Sequence, residues 1–306
     1  MKFSIFQDSR PGRRRTNQDR IAYSYSRDAL LMVLADGMGG HENGELAAEI
    51  ATRSLLQSFQ RAAHPTVSAP KDFLYKAMLD AHQAILSDAL DRSLTEAPRT
   101  TVIACIVQAG SAWWAHAGDS RLYALRGRDI AARTRDHSRV QMLFDQGKID
   151  AHGAQTHPER NRLYNCLGGN STPHIDTSRR FALRQEDTIM LCSDGVWGPL
   201  GDARLRTGLS GAEVQESVPR IMARAEALGG PTCDNLSMIA MRWHGNDQDP
   251  APETLSTASL SFEGFTTRME GASMTPVPDT EFSNADIERA IDEINAAIKK
   301  LETSKN

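Results

Sequence analysis

The fold of this chain is indicated by residues 102–125, which read VIACIVQAGSAWWAHAGDSRLYAL. Three apolar runs, 102–107, 112–117 and 121–125, follow one another with short polar connectors between them. This spacing predicts an antiparallel meander, because parallel neighbours need a crossover of a dozen or more residues. The stretch therefore indicates an antiparallel or mixed sheet with helices outside it, and it argues against a Rossmann-type fold.

Further elements are predicted on both sides of this stretch. Two amphipathic helices, Glu45–Phe59 and Phe73–Leu90, are predicted from apolar residues that recur at helical spacing. Continuous apolar runs predict more strands, several of them buried on both faces. These further strands are 29–35, 188–192 and 236–241. Residues 1–244 are therefore expected to form one domain of the α/β (α+β) class.

The composition changes after Trp243. Residues 245–283 are rich in Asp, Pro, Ser, Thr and Gly, and they are predicted to be a flexible linker. Residues 284–303 are predicted to form an amphipathic C-terminal helix, because large aliphatic residues recur at alternating spacings of four and three. This helix either docks on the parent domain, binds a partner, pairs with its own copy or stays undocked.

The bulk composition limits the classes of function. A formal net charge of -4 over 306 residues argues against a general nucleic-acid binder. No apolar run approaches the length of a membrane span, and the first residues lack a secretory signal. The four cysteines form no CxxC pair, which favours free thiols in a reducing compartment. We therefore expect a cytoplasmic protein without a membrane or nucleic-acid partner.

Acidic residues stand beside Gly or Asn at the ends of the predicted strands. Asp36 and Asp194 each follow an apolar run and precede a glycine, whereas Asp234 precedes a run. A single pair of this kind is ordinarily a turn or a cap, but three in one domain predict a shared site. Clustered carboxylates repel one another and offer hard oxygen ligands. The site is therefore expected to bind Mg²⁺ or Mn²⁺, with the Gly37 carbonyl as a further candidate ligand.

Arg14 lies in an arginine triplet five residues before Asp19. The guanidinium of Arg14 can donate two hydrogen bonds to a tetrahedral phosphate. The alternative interpretation of the triplet is a solvated surface or a weak patch for polyanions. A two-metal site beside such an arginine is the arrangement for phosphoester hydrolysis by a water that loses its proton between the metals. The sequence contains no Cys-x5-Arg loop and no Gly-x-Ser-x-Gly elbow, which disfavours a covalent mechanism.

At this point a series of motifs resembles the PPM, or type 2C, metal-dependent Ser/Thr protein phosphatases in their bacterial form. The motifs occur in the order and spacing of that family over residues 1–243. They are Gly12-x-Arg14-x-x-Asn17-Gln18-Asp19, Ala35-Asp36-Gly37-Met38-Gly39-Gly40-His41, Arg99-Thr100-Thr101, His116-Ala117-Gly118-Asp119-Ser120-Arg121, Arg135-Asp136-His137-Ser138, Asn165-x-Leu167-Gly168-Gly169, Cys192-Ser193-Asp194-Gly195 and Asp234-Asn235.

The resemblance implies a four-layer α-β-β-α sandwich of two antiparallel sheets, with two Mg²⁺ or Mn²⁺ ions at one end. It implies that Asp36 bridges both metals and that the Gly37 carbonyl ligates the second. Asp194 and Asp234 would complete the coordination of the first metal. A dimetal-bound hydroxide would attack the phosphate of phosphoserine or phosphothreonine in protein substrates.

The resemblance implies further roles around these metals. Arg14 would hold the phosphate and Asp19 would position a metal-bound water. Asp119 would help bind a third, weaker metal, although Gly198 stands where many members carry another acidic ligand for that ion. Residues 138–165 would be the family's flap, which influences substrate access; the sequence alone equally permits a plain surface excursion.

Two functional hypotheses follow. The first is a protein serine/threonine phosphatase that opposes a bacterial Ser/Thr kinase. The second is a catalytically silent regulatory module that binds a partner through its C-terminal helix, which the intact set of acidic residues and Arg14 argues against. Nucleic-acid binding through the arginine triplet is disfavoured by the acidic balance of the chain.

Overall fold

A computed structural model describes residues 1–38 and 43–245, together with a two-residue strand at 255–256. The predicted helix 284–303 therefore lies outside the described residues. So does the predicted linker 245–283, apart from Gly245 and that short strand, and so do Gly39, Gly40 and His41 of the Asp36 motif.

The described residues form thirteen strands and six α-helices. The strands are β1 (Lys2–Arg10), β2 (Asp19–Tyr25), β3 (Ala29–Gly37), β4 (Arg99–Gln108), β5 (Ser111–Ala117), β6 (Arg121–Arg126), β7 (Asp129–Arg133), β8 (Leu167–Gly168), β9 (Asp176–Thr177), β10 (Phe181–Ala182), β11 (Thr188–Cys192), β12 (Leu236–Gly245) and β13 (Leu255–Ser256). The helices are α1 (Gly44–Ala62), α2 (Pro70–Asp91), α3 (Arg139–Asp145), α4 (Ala151–Thr156), α5 (Asp194–Leu209) and α6 (Val214–Gly229), and a 3-10 turn covers Gly230–Thr232.

The strands form two antiparallel sheets. One has the order β1-β12-β11-β6-β7 and the other the order β10-β5-β4-β3-β2-β13, with β8 beside β4 and β9 beside β5. Antiparallel pairing brings the end of each strand next to the start of its neighbour. In this fold, that relation gathers the candidate acidic residues at one end of both sheets.

Alternation along the strands builds the layers. On β3, Leu30, Met32 and Leu34 face the core between the sheets, whereas Leu31, Val33 and Ala35 pack with residues of α1 and α2. On β11, Ile189 and Leu191 enter the core between the sheets, and Met190 and Cys192 pack with residues of α5 and α6. Both strands are buried on both faces, as their continuous apolar runs predict. The four-layer α-β-β-α sandwich is therefore confirmed.

The structure of residues 102–125 differs from the prediction at one connection. Strands β4 and β5 form the expected hairpin, and its turn residues Ala109 and Gly110 both have positive φ. Strand β6, however, pairs with β11 and β7 in the other sheet. The prediction of a continuous meander is therefore wrong at residues 118–120, where the chain crosses between the sheets instead of turning back along β5.

The expected free thiols are present: the four cysteines form no disulfide, and Cys105 and Cys192 are buried in strands. Within the described part of the chain, none of the helices combines the length and the apolar character that a membrane crossing requires.

Candidate metal centre

Two of the predicted acidic residues are cross-strand neighbours. Asp36, near the end of β3, lies opposite Asp19, the first residue of β2. The next residue, Gly37, donates its N–H to the Gln18 carbonyl at 3.2 Å. A Cβ at Gly37 would lie 2.3 Å from the Gly44 carbonyl oxygen. Glycine is therefore required here, because the backbone packs against the start of α1.

Two more of the predicted acidic residues lie at the corresponding end of the other sheet. Strand β11 ends at Cys192, which pairs with Met238 near the start of β12. Asp194 opens α5 just after β11, and Asp234 lies two residues before β12. The antiparallel pair therefore brings these carboxylates together although 40 residues separate them in the chain.

Ser193 joins the two sheets at this end. Its hydroxyl donates to Asp19 Oδ2 at 2.9 Å and accepts from the Ser237 N–H at 3.0 Å. Ser193 is fully buried. Ser193 was not among the predicted site residues, although its place beside Asp194 in the Ser-Asp-Gly motif was a usable signal. Ser193 fixes the orientation of the Asp19 carboxylate.

Two threonines of β4 hold the backbone of Asp36. Thr100 Oγ1 donates to the Asp36 carbonyl at 2.9 Å, and the Asp36 N–H donates to Thr101 Oγ1 at 3.3 Å. Thr101 Oγ1 also hydrogen-bonds Ser120 Oγ at 2.7 Å. Thr101 therefore contacts both the backbone of Asp36 and Ser120, the residue that follows Asp119.

Asp119 lies at the crossing from β5 to β6 and is buried. Trp197 of α5 donates its indole N–H to the Asp119 carbonyl at 3.0 Å. The guanidinium of Arg121 stacks on the same indole ring, with its Cζ 3.5 Å from the ring centroid. The main chain of Asp119 is therefore fixed from the helix that begins at Asp194.

The carboxylates of this cluster resist ionisation. Burial and then the Asp234 charge raise the pKa of Asp194 to about 7, and burial raises the pKa of Asp19 to about 6. The pKa of Asp36 is raised well above its usual range, by burial first and then by the charges of Asp19 and Asp194. Burial and Asp194 also raise the pKa of Asp119. These raised pKa values reflect burial together with like charges that lie close to one another.

The donor set fits divalent metal ions. Asp19 Oδ1 is buried and has no hydrogen-bond partner among the described residues. Asp36, Asp194 and Asp234 keep part of their surface exposed and are therefore accessible to an ion. Carboxylate and carbonyl oxygens are the ligands that Mg²⁺ and Mn²⁺ prefer. A cation would offset the repulsion that raises these pKa values.

Arg14 reaches this cluster from the loop between β1 and β2. Its Nη2 donates to Asp234 Oδ2 at 2.7 Å, while 59% of its side chain remains exposed. Asn235 anchors the loop: it accepts from the Gln18 N–H at 2.9 Å and donates to the carbonyls of Pro11 and Thr16. The structure therefore brings Arg14, Asp19, Asp36, Gly37, Asp119, Asp194 and Asp234 to one end of the sandwich.

Known proteins are similar to this chain in sequence and in fold. Residues 7–229 match the family model for protein phosphatase 2C. A serine/threonine protein phosphatase, PstP of Mycobacterium tuberculosis, is 33% identical over 230 residues, which are 74% of this chain. The chain spans 42% of the length of that relative. A serine/threonine phosphatase, stp of Listeria innocua, is 29% identical over 76% of this chain and 93% of its own length.

The fold is also similar to that of a solved structure, the catalytic domain of PstP in complex with two manganese ions. The TM-score is 0.66 at 28% identity, over 79% of this chain and all of the other. The family model matches well over half of the chain, and the resemblance drawn from the motifs is thereby confirmed. The chain belongs to the protein phosphatase 2C family.

Proposed function

We propose that this protein is a Mg²⁺- or Mn²⁺-dependent phosphatase that hydrolyses phosphoserine and phosphothreonine in proteins. The observation that carries the proposal is the meeting of four aspartates with raised pKa values from separate segments, with Arg14 at their exposed side. The named phosphatase relatives and the manganese complex of PstP support the same activity and the same cofactor.

The metal ligands are proposed to be Asp36, the Gly37 carbonyl, Asp194 and Asp234, with Asp119 serving a third, weaker site. Asp36 is the candidate to bridge two ions, because its pKa responds to the charges of the acidic residues on both sheets. When bound, a pair of such ions lowers the pKa of a water molecule toward neutrality and polarises the phosphate.

Asp19 is proposed to orient the attacking water. Its Oδ2 accepts from the Ser193 hydroxyl, so Oδ1 is the atom that remains to accept a hydrogen bond from water. The carboxylate cannot rotate freely, because Ser193 is itself held by the backbone of Ser237. Orientation of this kind lowers the entropic part of the barrier.

Arg14 is proposed to bind the substrate phosphate. Its guanidinium uses Nη2 on Asp234 and leaves most of the side chain exposed. The remaining N–H groups can donate to two phosphate oxygens together, which fixes the phosphorus relative to the carboxylates. The ion pair with Asp234 keeps the arginine at the site before substrate arrives.

The substrates are proposed to be proteins that a Ser/Thr kinase has phosphorylated, so that the phosphatase opposes this kinase. The alternative, a silent regulatory module, is not favoured, because Arg14, Asp36, Asp194 and Asp234 are all present. The order and spacing of the phosphatase motifs are likewise kept.

The proposal is tested with the full chain and a phosphothreonine peptide. We expect phosphate release that requires Mn²⁺ or Mg²⁺ and stops on chelation. Asp36→Asn should abolish the reaction while the protein remains folded, because it removes a charge and little volume. Asp28→Asn is the matched control, since Asp28 lies in the turn between β2 and β3, away from the cluster. Absence of metal-dependent phosphate release from the wild type would reject the proposal.

A further inference from the structure

A second group of side chains lies at the same end of β5 but outside the acidic cluster. His116 on β5, His137 before α3 and Asp176 on β9 each place one potential ligand atom within 4.8 Å of the others. Both histidines are buried, and Asp176 is partly exposed. Two imidazoles and a carboxylate are a common ligand set for zinc. The hydrogen bonds of the group, however, assign it another role.

The ring protons of His137 are fixed by its neighbours. Its Nδ1 accepts from the backbone N–H of Gly118 at 3.2 Å, so this nitrogen carries no proton. Its Nε2 must then carry the proton, which it donates to Asp176 Oδ2 at 3.1 Å. The rings of His116 and His137 are stacked, with centroids 4.6 Å apart and planes inclined by 20°. Their in-plane lone pairs run side by side and do not converge on one ion.

The main chain of His137 strengthens the contact with Gly118. The His137 N–H donates to the Gly118 carbonyl at 2.9 Å, so both peptide units around Gly118 are held by one residue. Gly118 has φ of +115°, and a Cβ there would lie 2.5 Å from the Thr101 Cβ. The carbonyl that His137 binds belongs to the peptide unit that leads into Asp119. His137 thus fixes the direction in which Asp119 leaves β5.

The same histidine holds both ends of the flap, residues 138–165. The Tyr164 N–H donates to the His137 carbonyl at 3.0 Å, and Ser138 bridges to Leu163. The Asn165 side-chain amide donates to His137 Nδ1 at 2.6 Å. The orientation of that amide is set by His174, whose N–H donates to Asn165 Oδ1 at 2.9 Å. The base of the flap and the Gly118 corner therefore share His137.

We propose that His137, oriented by Asp176, is a positioning residue that couples the base of the flap to the placement of Asp119. The proposal rests on the proposed function, because Asp119 is assigned there to a metal site. Burial lowers the pKa of His137, and a neutral ring keeps Nδ1 available as an acceptor. Loss of the ring releases the Gly118 N–H and loosens Asp119, but leaves Asp36, Asp194 and Asp234 in place.

The first test reads the hydrogen bond directly and needs no activity. In the full chain, ¹⁵N spectra of the histidine rings should show His137 as the neutral tautomer protonated at Nε2. Hydrogen exchange of the Gly118 amide should rise by about tenfold or more in His137→Ala, because its acceptor is gone. His174→Ala is the matched control: His174 contacts Asp176 Oδ1 at 2.9 Å and does not hold Gly118. Its Gly118 exchange should match that of the wild type.

Asp176→Asn is a milder variant, which keeps a side-chain oxygen able to accept from Nε2. It should leave the protein folded and raise Gly118 exchange less than His137→Ala does. A His137 tautomer protonated at Nδ1, or Gly118 exchange that is unchanged in folded His137→Ala, would overturn the proposal. Zinc that binds the full chain and displaces the Nε2 proton of His137 would overturn it as well.

The second test measures Mn²⁺ binding from the electron paramagnetic resonance signal of the Mn²⁺ that stays free in solution. His137→Ala should weaken the weakest bound ion by about tenfold and leave the tighter ions unchanged, as should Asp119→Asn. Because the two residues are proposed to act on one site, the double variant should lose little more than either single variant. Fully additive losses would reject the coupling. If the wild type releases no phosphate, the proposed function fails, whereas these exchange and binding results still decide the role of His137.

Discussion

Asp194→Asn is expected to stabilise the metal-free protein above neutral pH. The pKa of Asp194 is raised from 3.8 to about 7, by burial first and then by the charges of Asp234 and Asp19. The folded state holds this proton more tightly than the unfolded chain does. The stabilisation is therefore fully present below about pH 4 and is lost as the pH rises through about 7. A difference of about three pKa units equals about 4 kcal/mol, which is a ceiling because Asp194 is partly exposed.

The assay is urea unfolding of the full chain in EDTA from pH 5 to pH 8. The stability of Asp194→Asn relative to wild type should grow by about 2–3 kcal/mol over this range, because the asparagine carries no charge to bury. Buried His82, whose pKa is lowered by burial, titrates equally in both proteins and cancels in the difference. Mn²⁺ at about 100 times its dissociation constant should then stabilise the wild type by about 3 kcal/mol at pH 8, and the variant much less.

Asp28→Asn removes one carboxylate from a turn outside the cluster and serves as the control for the loss of a charge. A relative stability of Asp194→Asn that stays constant from pH 5 to pH 8, as expected for that control, would refute the reasoning. It would mean that Asp194 ionises without opposition and is not held among like charges.

Three further outcomes are expected. Arg14→Lys keeps the charge but loses the fork, so kcat/KM for a phosphothreonine peptide should fall about tenfold or more, whereas Arg15→Lys, on an exposed neighbour, should change it little. Ser193→Ala removes a buried hydrogen bond to Asp19 and should cost about 1–2 kcal/mol in urea unfolding together with a lower kcat; an unchanged kcat would contradict the role given to Asp19. Leu31→Ala should cost about 2–5 kcal/mol in the same unfolding assay, since Leu31 is fully buried between β3 and the helices, and a loss below 1 kcal/mol would contradict its placement.

Most strands in the middle of the sheets were predictable from sequence, because burial on both faces leaves continuous apolar runs. Strand β2 was not predicted, although it is buried along its length, because Asp19, Arg20 and Ser24 interrupt its apolar residues. Thr188–Cys192 has its predicted bounds, and β3 and β4 extend the predicted runs by a few residues. Strand β1 was not predicted, since Lys2–Arg10 has only three apolar residues, Phe3, Ile5 and Phe6, and its second half is wholly polar. Helix α5 was also missed, because four glycines and a proline interrupt its pattern and Gly201 has non-helical dihedral angles.

The candidate site was predictable where a strand end marks it. Asp36, Asp194 and Asp234 stand beside apolar runs. Antiparallel pairing brings Asp194 and Asp234 together, and the packing of the two sheets places Asp36 at the same end. The partners that orient them were not predictable in this way. Ser193 and Thr101 act through hydrogen bonds across the fold, and their residue types are common in strands and turns. Such contacts depend on register between segments that are distant in the chain.

The crossing at residues 118–120 shows the same limit. A short polar connector is compatible both with a hairpin and with a change of sheet, and the difference depends on the backbone of Gly118 and on the partners of β6. Neither is visible in the apolar pattern. This crossing also brings Asp119 toward the other acidic residues. The wrong prediction of a hairpin at residues 118–120 therefore concerned the one part of the site that does not follow from the strand ends.

Aspartates that are distant in the chain are proposed to bind a pair of divalent cations. The most direct measurement is the anomalous difference density of a crystal of the full chain grown with Mn²⁺. We expect two strong peaks bounded by Asp36, Asp194 and Asp234, with Asp36 touching both, and neither peak in Asp36→Asn. Manganese found only at surface carboxylates away from these three residues, or absent from the crystal, would contradict it.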